Sequence, residues 1–106
     1  MMYGLSEKTI KAIQGVFAKY PQIDRAILYG SRAKGNYRNG SDIDLVLGGG
    51  ELDLFLIFKI ELELDELMLP YKIDLVAYHQ IENHELISHI DRIGVIFFES
   101  KSTTST

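Results

Sequence analysis

There is no cysteine in this chain, which excludes a disulfide framework and any thiolate-held zinc and suits a reducing compartment. There is no excess of basic charge either. Eleven Lys and Arg stand against fifteen Asp and Glu, a net charge of -4 at pH 7. That is the wrong sign for a protein whose main work is gripping nucleic-acid backbone through counterion release, so strong nucleic-acid binding is not expected. No apolar run approaches the roughly 18 residues of a membrane span, and residues 1–8 lack a basic region followed by an apolar stretch. A cytoplasmic protein without a membrane segment is the expectation. A second domain is not expected either, since 106 residues suffice for one hydrophobic core and not for two. We read 1–99 as that domain and the Ser/Thr-rich end, 100–106, as a disordered tail. With 46% hydrophobic and 25% charged residues, the composition is that of an ordinary globular protein, and no internal repeat is present.

The periodicities point to an α/β (α+β) fold with a mixed three- to four-stranded sheet packed against helices. Ser6 can cap a first helix whose apolar side is Ile10, Ile13, Phe17 and Tyr20, closed by Pro21. Residues 25–29, Arg-Ala-Ile-Leu-Tyr, are too apolar for a surface strand and suit a central one. Residues 31–40 read as one helical turn and an exposed loop. A second strand, 42–47, places Asp42, Asp44 and Val46 on one face and Ile43, Leu45 and Leu47 on the other. After three glycines, Asp53 can cap a helix running to about Leu69, with Pro70 as its stop. That helix carries two apolar stripes, one of Leu56, Ile57, Ile60, Leu64, Leu67 and Met68, the other of Phe55, Phe58, Leu62 and Leu69. One stripe should face the sheet. The other needs a neighbouring helix or another chain, a second copy included. Residues 71–78 form a third strand with Asp74 opposite to Ile73 and Leu75, 81–92 a last helix, and 95–98 a fourth, edge strand.

Two carboxylates on one face of a strand repel and cannot be buried unpaired. A lone Asp-x-Asp is answered as well by a neighbouring Arg or Lys, or by exposure at a strand end, as by Mg²⁺, which takes hard oxygen ligands and keeps positions open for phosphates. Gly30 and Ser31, at the end of one strand and the start of a helical turn, can present backbone N–H groups to a phosphate or can be a plain turn. Spacing narrows the choice: Gly30-Ser31, ten residues, Asp42-Ile43-Asp44, then Asp74 on a third strand. His79, His84 and His89 stand five apart, which spreads them round a helix rather than stacking them as metal ligands, and they read as surface residues. Tyr29, Tyr37 and Arg38 receive no role.

Leu28-Tyr-Gly-Ser-Arg-Ala-Lys-Gly35 followed by Gly40-Ser-Asp-Ile-Asp-Leu45 resembles the signature of the DNA polymerase beta nucleotidyltransferase superfamily, in its minimal nucleotidyltransferase branch. The resemblance implies that Asp42, Asp44 and Asp74 hold two Mg²⁺ ions and carry catalysis, with Asp74 helping to deprotonate the attacking hydroxyl. It implies that Gly30 and Ser31 hold the triphosphate of ATP or another NTP, with Arg32 and Lys34 supplying positive charge, where the family more often has Arg at the place of Lys34. Ser41 is as well suited to shaping the turn as to touching the nucleotide. Minimal nucleotidyltransferases are often paired with a helical HEPN-type RNase toxin, which they adenylylate as its antitoxin. The expected reaction is thus transfer of AMP to a hydroxyl of a partner protein. The alternative is a non-catalytic nucleotide-binding subunit that neutralises or scaffolds the partner.

Overall fold

The computed structural model describes residues 1–100, and the expected tail lies outside them except for Ser100, whose N–H donates to the Asp24 carbonyl at 2.9 Å. Helix α1, Glu7–Phe17, starts where Ser6 accepts the Thr9 N–H through its side chain, as its place before the apolar periodicity predicts. Strand β1, Arg25–Tyr29, runs into the five-residue helix α2, Gly30–Lys34. Strand β2, Ile43–Gly48, is followed by α3, Leu54–Asp65, capped by the Asp53 side chain. Strand β3, Ile73–Ala77, a 3-10 turn at Tyr78–Gln80, helix α4, His84–Ile93, and strand β4, Val95–Glu99, complete the chain.

The sheet order is β3-β2-β1-β4. Strand β1 pairs antiparallel with β2 and β4, and β2 pairs parallel with β3. The sheet is therefore mixed and four-stranded, with β1 central and β4 at an edge. Ala26, Leu28, Ile43, Leu45 and Leu47 join Ile13, Phe17, Ile57, Ile60 and Leu64 in one buried cluster, so α1 and α3 cover one face. The intervening Ile27 and Tyr29 point the other way, where Tyr29 meets His89 of α4. Among the described residues, no helix is long and apolar enough to cross a membrane.

Several helix boundaries differ from the sequence expectation, and α1 already stops at Phe17, capped by Ala18, short of Tyr20 and Pro21. Helix α3 ends at Asp65 with Glu66 as its cap, not near Leu69. The apolar spacing runs on past the end because Leu67 and Leu69 still pack on the core from irregular chain, while Met68, at φ 57, turns outward. Helix α4 begins at His84, three residues later than its periodicity suggests, because Asn83 accepts the Glu85 and Leu86 N–H groups and sets the start. Leu69 apart, the second stripe of α3 lies open among the described residues: Phe55 is 77% exposed, Phe58 58% and Leu62 50%, and Leu54 beside them is 72% exposed.

Candidate active site

The turn that leads into β2 is built by Ser41, whose hydroxyl accepts the Arg38 N–H at 2.8 Å while its own N–H donates to the Arg38 carbonyl. Ser41 therefore shapes the turn. Asp42 follows at the mouth of the strand and is exposed. Asp44, half-buried, lies in register between Tyr29 of β1 and Asp74 of β3. Neighbouring strands run about 4.8 Å apart, so this row sets two carboxyl groups side by side, an arrangement that costs stability when both are charged.

The electrostatics follow from that row. Burial lifts the Asp44 carboxyl above its ordinary value of 3.8, the charges of Asp74 and Asp42 lift it further, and a hydrogen bond with Asp74 adds to both. The Tyr29 hydroxyl is pushed up to about 12, first by burial and then by Asp44 and Asp74. Among the described residues no salt bridge relieves this crowding. The ion pairs among the described residues are Glu7 with Lys11 and Lys19 with Glu63, both elsewhere. Of the plainer explanations of Asp-x-Asp, the salt bridge is thus absent, while exposure does apply to Asp42 and Asp74. Crowded carboxylate oxygens without a cation are a donor set that fits Mg²⁺. As they stand, no three His, Asp or Glu side chains among the described residues are close enough to enclose an ion, so these carboxylates would have to turn in around one.

Gly30 abuts the carboxylates. It has φ +75, and a Cβ there would come within 2.3 Å of Asp44 Oδ2, so both the backbone conformation and the close approach require glycine. No side chain caps α2, since Tyr29 at the cap position makes no such bond. One early amide is engaged: the Gly30 N–H donates to Nε2 of His89 at 3.3 Å. Lys34, the last residue of α2, is exposed and free to reach an anion.

Arg32, expected at the triphosphate, is not available to it. It is 2% exposed, and its guanidinium donates to the carbonyls of Ser41, Tyr3 and Asn39. The rings of Tyr37 and Tyr71 lie over it with centroids 5.3 and 4.9 Å away. Its charge is answered by carbonyl dipoles and ring faces rather than by a phosphate. His89 is the opposite case. Read as a surface residue, it is half-buried against Tyr29 and Gly30, 59 residues from the latter in sequence, and no local pattern announces it. His84 is exposed, and His79 binds the Leu52 carbonyl at 2.9 Å, so the three histidines do share no site. A hollow of about 720 Å³ is lined by Leu52, Phe55, Leu56, Lys59 and His79 among others and includes none of the three carboxylates. Of the carboxylates, Asp42 and Asp74 are exposed and Asp44 is half-buried.

The fold is that of a small nucleotidyltransferase domain. The model of the family "Polymerase beta, Nucleotidyltransferase" matches residues 11–103, and the protein belongs to that family. Comparison with curated protein sequences gives no match. Among solved structures, a toxin-antitoxin complex with AMP-PNP is similar at 20% identity and a TM-score of 0.70, over 93% of this chain and 77% of that one. A tri-AMPylated Shewanella oneidensis HEPN toxin in complex with its MNT antitoxin is similar at 16% identity and a TM-score of 0.68, over 93% and 76%. At these identities the likeness is one of fold.

Proposed function

We propose that this protein transfers AMP from ATP to a hydroxyl group of a small helical protein of the HEPN type, and so acts as the antitoxin of an RNase toxin. The observation that carries the reading is the register of Asp44 beside Asp74, with Asp42 two residues ahead and no ion pair to offset the three among the described residues. The complexes that resemble it in fold contain AMP-PNP in one case and an AMPylated toxin in the other, which supports nucleotide and acceptor alike.

In this reading Asp42, Asp44 and Asp74 are the metal ligands. When bound, two Mg²⁺ ions would stabilise the attacking and leaving oxygens of an in-line displacement at the α-phosphorus. Asp74, exposed at the edge strand, would take the proton of the incoming hydroxyl. A bond forms from that oxygen to the α-phosphorus, the bond to the bridging oxygen breaks, and pyrophosphate leaves. Gly30 and Ser31 hold phosphate oxygens through the uncapped amides of α2, with His89 giving up the Gly30 N–H. Lys34 supplies point charge to the leaving pyrophosphate.

The test is direct. The protein is incubated with its co-purified partner, ATP and Mg²⁺, and the partner is weighed by intact-mass spectrometry. Addition of AMP is expected, and Asp42→Asn together with Asp44→Asn should abolish it. A complex that forms but shows no added mass under any metal or nucleotide would instead establish the non-catalytic subunit.

A further inference from the structure

The buried guanidinium touches every segment that carries a candidate ligand. Arg32 itself lies in α2, next to Gly30 and Ser31. Its Nε and Nη2 both donate to the Ser41 carbonyl, at 3.1 and 2.9 Å. A peptide group is planar, so holding that oxygen from two points also fixes the nitrogen and Cα of the following residue, which is Asp42. The ring of Tyr71 packs on the guanidinium three residues before Asp74, and next to it the Lys72 carbonyl accepts the Ile43 N–H at 2.9 Å, joining the start of β2 to the entry of β3. On the outer side Nη1 donates to the Tyr3 carbonyl at 2.9 Å. There the chain makes a tight hook, with Tyr3 at φ 58 and Gly4 at φ 74.

A buried cation without a carboxylate partner is a costly way to fill space, and an apolar side chain of the same volume would be cheaper. What an apolar side chain lacks is direction. A planar fork with five N–H donors, four of whose bonds are made here to three carbonyls, fixes the orientation of each peptide it meets as well as its distance.

We propose that Arg32 is a positioning residue, a clamp that holds α2, the Ser41–Asp42 peptide and the entry to β3 in the mutual geometry a divalent cation requires. The inference rests on the metal-dependent reading above, but the clamp can be observed without turnover. The N-terminal hook belongs to it, because a Cβ on Gly4 would come within 2.3 Å of the Tyr37 ring and 2.8 Å of Arg32 Nη1. Gly4→Ala therefore pushes on the clamp from outside without removing a polar group.

The experiment compares the whole protein with Arg32→Met, Arg32→Lys, Gly4→Ala and a control, Ile60→Val, which loosens α3 packing where the guanidinium makes no contact. Amide hydrogen exchange is measured in the metal-free protein, and Mn²⁺ affinity by calorimetry. In Arg32→Met, exchange over 39–43 and 71–75 is expected to quicken about tenfold or more relative to α3, with Mn²⁺ binding weakened at least about tenfold, since a misplaced ligand of about 1 Å costs that order or more. Arg32→Lys should fail to rescue either, because a point charge cannot make the two-point grip. Gly4→Ala should move both in the same direction by a smaller factor. Exchange that rises evenly along the chain, or Mn²⁺ affinity in Arg32→Met no weaker than in Ile60→Val, overturns the clamp. Should Arg32→Met not fold, unchanged exchange over those segments in Gly4→Ala overturns it equally. Failure of the unaltered protein to bind Mn²⁺ with the exchange pattern intact would count against the metal reading and leave the clamp standing.

Discussion

Gly30→Ala separates the cost of backbone strain from the cost of moving a carboxylate. Gly30 has φ +75, and its added Cβ would meet Asp44 Oδ2 at 2.3 Å, whereas Gly35, at φ +89, has nothing within 4 Å of the same imagined atom. Each substitution forces an L side chain into the left-handed region, at about 1–2 kcal/mol. For a domain of this size that is a fall in Tm of about 4–8 °C per kcal/mol. Only at Gly30 must Asp44 also yield. Opening the contact from 2.3 Å to the ordinary 3.4 Å displaces that carboxylate by about 1 Å, a misplacement that costs a catalytic site on the order of 10²-fold. The two variants should therefore lose similar Tm by calorimetry, while the initial rate of AMP incorporation into the partner falls about 10²-fold further in Gly30→Ala than in Gly35→Ala. Equal loss of rate in the two would refute the argument that Gly30 is there for the sake of Asp44.

Three further outcomes follow from the site. Asp44→Asn should stabilise the metal-free protein at neutral pH: the raised carboxyl of Asp44 contributes stability that is full below its unfolded value and is lost as pH climbs through the folded one. The Tm advantage of the variant in EDTA should grow from pH 4 to pH 7, and a constant or reversed gap would contradict the crowding. Lys34→Ala should raise the KM for ATP by about ten- to a hundredfold, the worth of a charge-assisted contact to phosphate, and Lys34→Arg should recover most of it; an unchanged KM in the alanine variant removes Lys34 from the site. His89→Ala, which frees the Gly30 N–H, should lower the KM for ATP by about two- to tenfold, one hydrogen bond's worth. A rise would show that the imidazole holds the nucleotide rather than competing with it.

The carboxylate row was legible because strand alternation is a strict rule: once 42–47 and 71–78 read as strands, the facing of Asp42, Asp44 and Asp74 followed, though not the parallel register that sets Asp44 beside Asp74. The caps at Ser6 and Asp53 were legible for a similar reason, being short-range bonds between a side chain and the amide three residues on. The family resemblance put Arg32 at the triphosphate, but a motif says nothing of which way the side chain turns. That direction depends on Tyr3 and Tyr71, 29 and 39 positions away. His89 was missed for the same reason. The end of α3 was set too late because Leu67 and Leu69 are buried by tertiary packing after the helix has stopped, and apolar spacing cannot tell helical burial from burial in a turn.

The register of β2 bears on how preparations of this protein are to be measured. Bonded to β1 on one side and β3 on the other, β2 has no free edge along which to shift. A slip by one residue would turn Asp44 into the face that now holds Ile43, Leu45 and Leu47 and expose those three instead. The pleat excludes intermediate registers, so a slipped molecule would hold no row at all. Titration of the unaltered protein with a tight nucleotide analogue would count the fraction of molecules that hold the row, separately from the rate at which each turns over.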